Sequence, residues 1–164
     1  MLQSSELMAF VATANTDLAR EFYRDVLGLT LIDEHAFALV FDSNGTRLRV
    51  QKVDTVSPIP YTALGWRVED IHASIRGLTD RGVSFERFEG LPQDDDGVWT
   101  TPDGIAVAWF KDPDGNRLSL SQEPSWIRAT APGTATSRVC NRAPDTLPDR
   151  HQTPSYNRER RNNR

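Results

Sequence analysis

Two short stretches of this 164-residue chain place cationic or polar side chains at alternate positions between aliphatic ones. In 47–51, Arg47, Arg49 and Gln51 alternate with Leu48 and Val50. In 117–121, Arg117, Ser119 and Ser121 alternate with Leu118 and Leu120. A strand sends successive side chains to opposite faces, so each stretch has one apolar and one polar face. Arg67 shares parity with Ala63 and Gly65 and joins the polar side of a third strand. Guanidinium groups are planar, always charged, and hold carboxylate or phosphate through paired hydrogen bonds. A surface carrying Arg47, Arg49, Arg67 and Arg117 suits an anionic ligand. The alternative is that these arginines pair with Asp and Glu across that surface or across a dimer interface. Trp99 and Trp109 are candidates to cover the apolar part of a ligand, with core packing as the other use of such rings.

Other chemistry is sparse. His35 reads as a turn residue between strands, His72 lies in the first turn of a helix off its apolar stripe, and His151 is near the end. Surface positions are expected for all three, with a catalytic or metal role at His35 as the alternative. No Ser-His-Asp or Cys-His arrangement is legible, and no catalytic residue is assigned. The single cysteine, Cys140, excludes an intramolecular disulfide. Asp94-Asp95-Asp96 reads as a solvated loop, the alternative being a site for a cation or a basic ligand. Arg158-Glu159-Arg160-Arg161 is too short a basic run, on too acidic a protein, to indicate nucleic-acid binding.

The elements that position these residues repeat. Met8–Thr13 reads as a strand. Asn15 or Thr16 then caps a helix with Leu18, Phe22 and Val26 on its buried stripe, stopped at Gly28. Leu29–Asp33, Ala36–Phe41 and Arg47–Val53 follow as strands. After Ser57-Pro58-Ile59-Pro60 the plan restarts. Tyr61–Val68 is a strand, and Asp70 caps a helix with Ile71, Ile75 and Leu78 on one face, stopped at Gly82. Val83–Phe88, Ile105–Phe110 and Arg117–Ser121 are three more strands, with a long loop over Gly90–Gly104. The turn-strand unit Asp112-Pro113-Asp114-Gly115-Asn116-Arg117-Leu118 has a degenerate copy in Asp42-Ser43-Asn44-Gly45-Thr46-Arg47-Leu48. The order is βαβββ, linker, βαβββ. Each helix covers one sheet face and leaves the other open.

Composition changes near Glu123. Residues 1–122 carry net charge −8 and residues 123–164 carry +4. The second segment is rich in Pro, Thr, Arg and Asn without an apolar period, so it is expected to be a disordered tail on a domain spanning 1–122 (modules about 7–56 and 61–122). The absence of a secretory signal or an eighteen-residue apolar run leads to the expectation of a soluble, cytoplasmic protein without a membrane partner.

The chain resembles the vicinal oxygen chelate superfamily, which includes glyoxalase I, bleomycin-resistance proteins, fosfomycin-resistance enzymes and extradiol dioxygenases. Three motifs carry the resemblance over about residues 7–122. They are Asp17-Leu18-Ala19-Arg20-Glu21-Phe22-Tyr23 running into Val26-Leu27-Gly28-Leu29, then Val68-Glu69-Asp70-Ile71, then Asp112-Pro113-Asp114-Gly115-Asn116. The resemblance implies an α+β fold of two βαβββ modules forming a curved, mixed eight-stranded sheet around a cup. It also implies a C2 homodimer with cups at or near the subunit interface.

In metal-dependent members the ligands come from the first and last strands of each module. Carried over residue by residue, those positions fall near Met8, at Arg49, near Ala63 and at Ser119, where the metal enzymes have Glu. Divalent metals need carboxylate, imidazole or thiolate, so this set departs from the metal enzymes. The chain is therefore expected to belong to a metal-free branch with no cofactor, binding a small organic ligand through Arg47, Arg49, Gln51, Arg67, Trp99, Trp109, Arg117 and Ser119. The other readings are a glyoxalase-like lyase or isomerase working by acid–base residues alone, and a dimeric structural or regulatory protein.

Overall fold

A computed structural model describes residues 2–128. The first module runs β1 (Met8–Thr13), α1 (Thr16–Glu21), a π-helical turn (Phe22–Val26), β2 (Thr30–His35), β3 (Ala38–Ser43) and β4 (Thr46–Lys52). The second runs β5 (Leu64–Arg67), α2 (Ile71–Thr79), β6 (Trp99–Thr100), β7 (Ala106–Lys111) and β8 (Arg117–Gln122), followed by the short α3 (Ser125–Arg128). The strands form two four-stranded mixed sheets of identical topology. Their orders are β1-β4-β3-β2 and β5-β8-β7-β6, with the first strand parallel to the last in each. Chain from residue 129 onward lies outside the described residues, and with it Cys140, His151, the Arg158–Arg161 run and most of the expected tail.

The helix caps follow from sequence chemistry. The Asn15 side chain accepts from the Leu18 amide, and the Asp70 side chain accepts from the Ala73 amide. Gly28 and Gly82 end the helical segments at positive φ, as expected. The hairpin joining β3 to β4 turns through Asn44 and Gly45, both at positive φ, which matches the right-handed twist of its strands.

Strand alternation divides each sheet as the sequence pattern requires. Leu48 and Val50, with Leu39 and Phe41, turn into a core shared with Leu118, Leu120, Ala108 and Phe110. Each fully buried aliphatic or aromatic side chain contributes about 1.5–3 kcal/mol. The buried stripe of the first helix differs from the expected Leu18, Phe22 and Val26. Leu18 is 49% exposed, and Ala19 and Tyr23 are the buried residues, with Phe22 and Val26 at the core's margin. The reason lies in the helix and its partner. Tyr23 is drawn inward to a buried carboxylate, which turns Ala19, one turn earlier, to the core, and the π-turn closed by the Leu27 amide on the Phe22 carbonyl resets the spacing beyond Phe22.

That carboxylate belongs to Asp112, in the turn between β7 and β8. Tyr23 Oη donates to Asp112 Oδ2 at 2.8 Å, and Asn116 Nδ2 donates to the same oxygen at 2.8 Å. Asp112 Oδ1 accepts from the amides of Asp114 and Asn116. Asp114 in turn accepts from Thr13 Oγ1 at 2.6 Å and from the Ala14 amide, and Asn116 Nδ2 also reaches the Ala12 carbonyl. The Asp-Pro-Asp-Gly-Asn motif is thus a polar staple that fastens the second module to the end of β1. Burial raises the Asp112 carboxyl above the usual range, against the lowering effect of the Asn116 and Tyr23 bonds. Burial and then the neighbouring Asp112 push the Tyr23 phenol well above its usual value.

The second module departs from expectation before β7. The strand expected over Val83–Phe88 makes only a single bridge, Phe85 to Phe110, beside a hydrogen bond from the Glu86 amide to the Trp109 carbonyl. The edge strand is β6, inside the stretch expected as loop. Arg87 donates to the carbonyls of Asp94 and Asp95, and the Gln93 side chain bonds the Phe88 amide and the Glu86 and Gly97 carbonyls. These bonds satisfy backbone groups that a continued strand would pair with the sheet, so the chain folds away and returns at Trp99. The acidic run is exposed, as expected of a solvated loop, and it also takes part in this fold. Asp94 Oδ1 accepts from the Asp96 and Val98 amides, and Asp96 Oδ2 lies 2.8 Å from His72 Nδ1. The strand expected over Tyr61–Val68 is confined to Leu64–Arg67. No helix among the described residues is long and apolar enough to cross a membrane.

Candidate functional site

The open face of the first sheet is built from β1, β4, β3 and β2. In register, Met8 pairs with Arg47, Phe10 with Arg49, Val40 with Arg49 and with Asp33, and Ala38 with both Gln51 and His35. Parity therefore puts Arg47, Arg49, Gln51, Met8, Phe10, Asp33 and His35 on one side. Phe10 is 50% exposed there. Arg47, Arg49, Met8, Asp33, His35 and Val40 line an open depression of about 200 Å³. Arg49 Nη2 lies 3.0 Å from His35 Nε2. Among the described residues neither Arg47 nor Arg49 forms an ion pair with a carboxylate.

The open face of the second sheet is aromatic. Trp109 and Ser119 are opposite one another on β7 and β8, and Trp99 on β6 is opposite Val107. The indoles of Trp99 and Trp109 stack at 6.2 Å with 24° between their planes. Phe88 meets Trp109 edge-on at 5.4 Å, and Trp109 Nε1 donates to Thr62 Oγ1 at 3.1 Å. The folded excursion after Arg87 is what brings Phe88 and Trp99 to this face. Trp66, on the other parity, packs at the margin of the core and donates to Ser43 Oγ at 3.0 Å across the modules.

The four arginines named from sequence fall into two classes. Arg117 Nε donates to Glu86 Oε2 at 2.8 Å, its Nη1 donates to the Pro60 carbonyl, and its guanidinium lies 5.0 Å from the centre of the Phe88 ring. Burial works to raise the Glu86 carboxyl, and hydrogen bonds from Arg117 and Lys111 overcome it, so the group sits below the usual range. Arg67 pairs with Glu123 at 3.3 Å on the surface. Arg47 and Arg49 are brought together on the first sheet and form no ion pair with a carboxylate among the described residues, although Asp33 lines the same depression and Asp42 stands opposite Arg47 in register. Gln51 shares their face. Ser119 is 8% exposed and lies against Gly65, where an added Cβ would come within 2.8 Å of its hydroxyl.

The sequence reading missed His35 and Asp33 as members of this face. His35 ends β2 and is not a turn residue, because only Ala36 and Phe37 separate the paired His35 and Ala38. A two-residue hairpin imposed on 36–37 would have placed His35 and Asp33 opposite Ala38 and Val40. Phe88 and Glu86 were missed because their roles depend on the fold of the following loop.

The residues at the expected metal positions do not fit a divalent ion. Met8 offers a thioether, Ala63 a methyl, and Arg49 a cation that already engages an imidazole. Ser119 is a buried hydroxyl facing Gly65. Hard and borderline divalent metals are held by carboxylate, imidazole or thiolate.

The module repeat agrees with comparisons to known proteins. A family model described as the Glyoxalase/Bleomycin resistance protein/Dioxygenase superfamily matches residues 7–120. A member of the same superfamily from Sphaerobacter thermophilus is similar in structure, with TM-score 0.58, 24% identity, and coverage of 75% of this chain and 100% of that one. A glyoxalase/bleomycin resistance protein from Catenulispora acidiphila gives TM-score 0.56 at 24% identity, covering 74% and 100%. A lactoylglutathione lyase from Agrobacterium tumefaciens gives TM-score 0.56 at 18% identity, covering 73% and 93%. At these identities the structural likeness speaks to the fold alone. No curated protein matches the chain significantly. With two βαβββ modules of one topology and a family match across both, the chain belongs to the glyoxalase/bleomycin resistance protein/dioxygenase superfamily.

Proposed function

We propose that this chain is a metal-independent binding protein for a small organic molecule, anionic or amphipathic in character. The observation that carries the reading is the pair Arg47 and Arg49 on an open sheet face, without carboxylate partners among the described residues. Two clustered guanidinium groups that form no ion pair suit an anionic partner, even with Asp33 and Asp42 on the same face. The stacked Trp99 and Trp109 offer a flat apolar surface for the rest of a ligand. The side chains near the four metal positions support a route without metal. In this reading the protein works in the cytoplasm as a homodimer whose cups form at or near the subunit interface, with no nucleic-acid or membrane partner. Thermal-shift screening against acidic metabolites and glycopeptide antibiotics, read together with tryptophan fluorescence, tests it. A ligand that raises Tm and quenches Trp99 or Trp109 supports the reading; a broad panel of acids without effect counts against it.

One observation favours a second reading, a lyase or isomerase acting by acid–base residues. His35 faces the same depression as Arg49, where a bound substrate would meet an imidazole beside a guanidinium. Mass-spectrometric detection of product from any ligand found by the screen, lost in His35→Gln, would carry that reading over simple binding.

A further inference from the structure

His35 stands between two hydrogen-bond donors. The Phe37 amide points to Nδ1 at 3.2 Å, and Arg49 Nη2 lies 3.0 Å from Nε2. A neutral imidazole has one lone pair and one N–H, and the charged form has two N–H groups and no lone pair. His35 can therefore accept from only one of these donors. When Nδ1 takes the Phe37 amide, Nε2 carries its hydrogen, and the imidazole and the guanidinium both aim donors at one place. When Nε2 takes the Arg49 hydrogen, the Phe37 amide loses its acceptor. In each tautomer one donor has no acceptor within this trio.

We infer that Arg49 and His35 form an oxyanion subsite, taking a carboxylate or phosphate oxygen between the guanidinium and Nε2–H. The inference rests on the reading above that the open face of the first sheet holds the ligand. An oxyanion there resolves the mismatch, because it accepts from both groups while Nδ1 keeps the Phe37 amide. The lining carries more cationic than anionic side chains. From β4 come Arg47 and Arg49, from β2 come His35 and Asp33, and from β1 and β3 come the uncharged Met8 and Val40, while Asp42 of β3 stands opposite Arg47 on the same face without lining the depression. Asp33 is the one carboxylate lining the depression, and among the described ion pairs none joins it to either arginine. At about 200 Å³ the depression is smaller than a whole-ligand pocket of roughly 300–1,000 Å³ and matches a headgroup. Arg49 holds one of the family's metal positions, so this subsite puts a fixed guanidinium where other members place a cation.

The test uses the full chain with histidine labelled in the ring with ¹⁵N. The chain has three histidines, so the His35 signals are identified by their loss in His35→Gln. Sodium phosphate and sodium acetate are titrated separately at constant ionic strength made up with chloride. The expected result is a saturable shift of the His35 nitrogens toward the Nε2–H form. Arg49→Gln should weaken it at least tenfold, and Asp33→Asn should tighten it severalfold. The anion that saturates at lower concentration identifies the headgroup class. If Arg49→Gln fails to fold, Arg49→Lys keeps the charge and should still weaken binding by removing the planar fork. His35 signals that ignore both anions, or respond equally in the arginine variants, overturn the subsite. If a screened ligand then still binds and quenches tryptophan, the subsite alone has failed; if no compound binds, the reading it rests on has failed as well.

Discussion

Replacing Tyr23 by phenylalanine removes one hydroxyl from the seam between the modules and leaves the buried ring in place. That hydroxyl donates to Asp112 Oδ2 at 2.8 Å. A hydrogen bond to a charged group is worth about 1.5–3 kcal/mol. Asp112 Oδ2 keeps Asn116 Nδ2, and Oδ1 keeps two backbone amides, so the carboxylate is not stranded. The loss then belongs in the lower part of the range, about 2 kcal/mol, a fall in Tm of roughly 6–10 °C for a folded unit of this size. The effect has a pH signature. Burial raises the Asp112 carboxyl above the usual aspartate value, against the bonds from Asn116 and Tyr23. An acid that holds its proton more tightly when folded makes stability fall as pH rises between its unfolded and folded pKa. Losing the Tyr23 bond raises the folded value further. The gap between parent and Tyr23→Phe is therefore small below that window, widens through it, and is full above it. Urea unfolding followed by circular dichroism, stepped from pH 7 down to about 4, measures it. A variant as stable as the parent at pH 7, or a gap that grows on acidification, would refute the reasoning.

Gly65→Ala should cost about 1–3 kcal/mol by overpacking the Ser119 hydroxyl, and Ser119→Ala in the same chain should recover most of it, seen as non-additive Tm shifts. Hydrogen bonds from Arg20 and then Lys52 hold the Glu34 carboxyl down to about 2. Its contribution to stability is present above the ordinary glutamate pKa and is lost as pH falls from there through the folded value of about 2, so a Glu34→Gln deficit at neutral pH should vanish in acid during chemical denaturation. A chain ending at Gln122 loses only the exposed Arg67–Glu123 pair among the described ion pairs, worth about 0–1 kcal/mol, and light scattering should find it dimeric like the full chain. A full chain that is a stable monomer at micromolar concentration refutes the dimer.

What the sequence could disclose was local. The parity of Arg47, Arg49 and Gln51 against Leu48 and Val50 needs only the two-residue repeat of a strand, and the structure divides those residues between face and core in that way. The caps at Asn15 and Asp70 and the positive φ at Gly45 and Gly115 are equally local. The turn motif at Asp112 was legible as a turn, but its bond to Tyr23, 89 positions away, has no local signal. The pairing of Arg117 with Glu86 was hidden for the same reason, and it decides which arginines stay out of ion pairs. The broken edge of the second sheet was out of reach, since it depends on Arg87 and Gln93 capturing the backbone of a loop that reads, residue by residue, as ordinary polar chain.

The central claim is that the cup binds its ligand without metal and through Arg49. Calorimetry of a ligand from the acid screen, against protein dialysed with a chelator and against protein supplied with Zn, Ni, Mn or Fe, tests it most directly. The account predicts one affinity in all conditions, within about twofold, and a tenfold to hundredfold loss in Arg49→Ala, equivalent to about 1.5–3 kcal/mol for one charge-assisted contact. Binding that disappears with the chelator and returns with about one equivalent of metal per chain, or that is unchanged in Arg49→Ala, would contradict it.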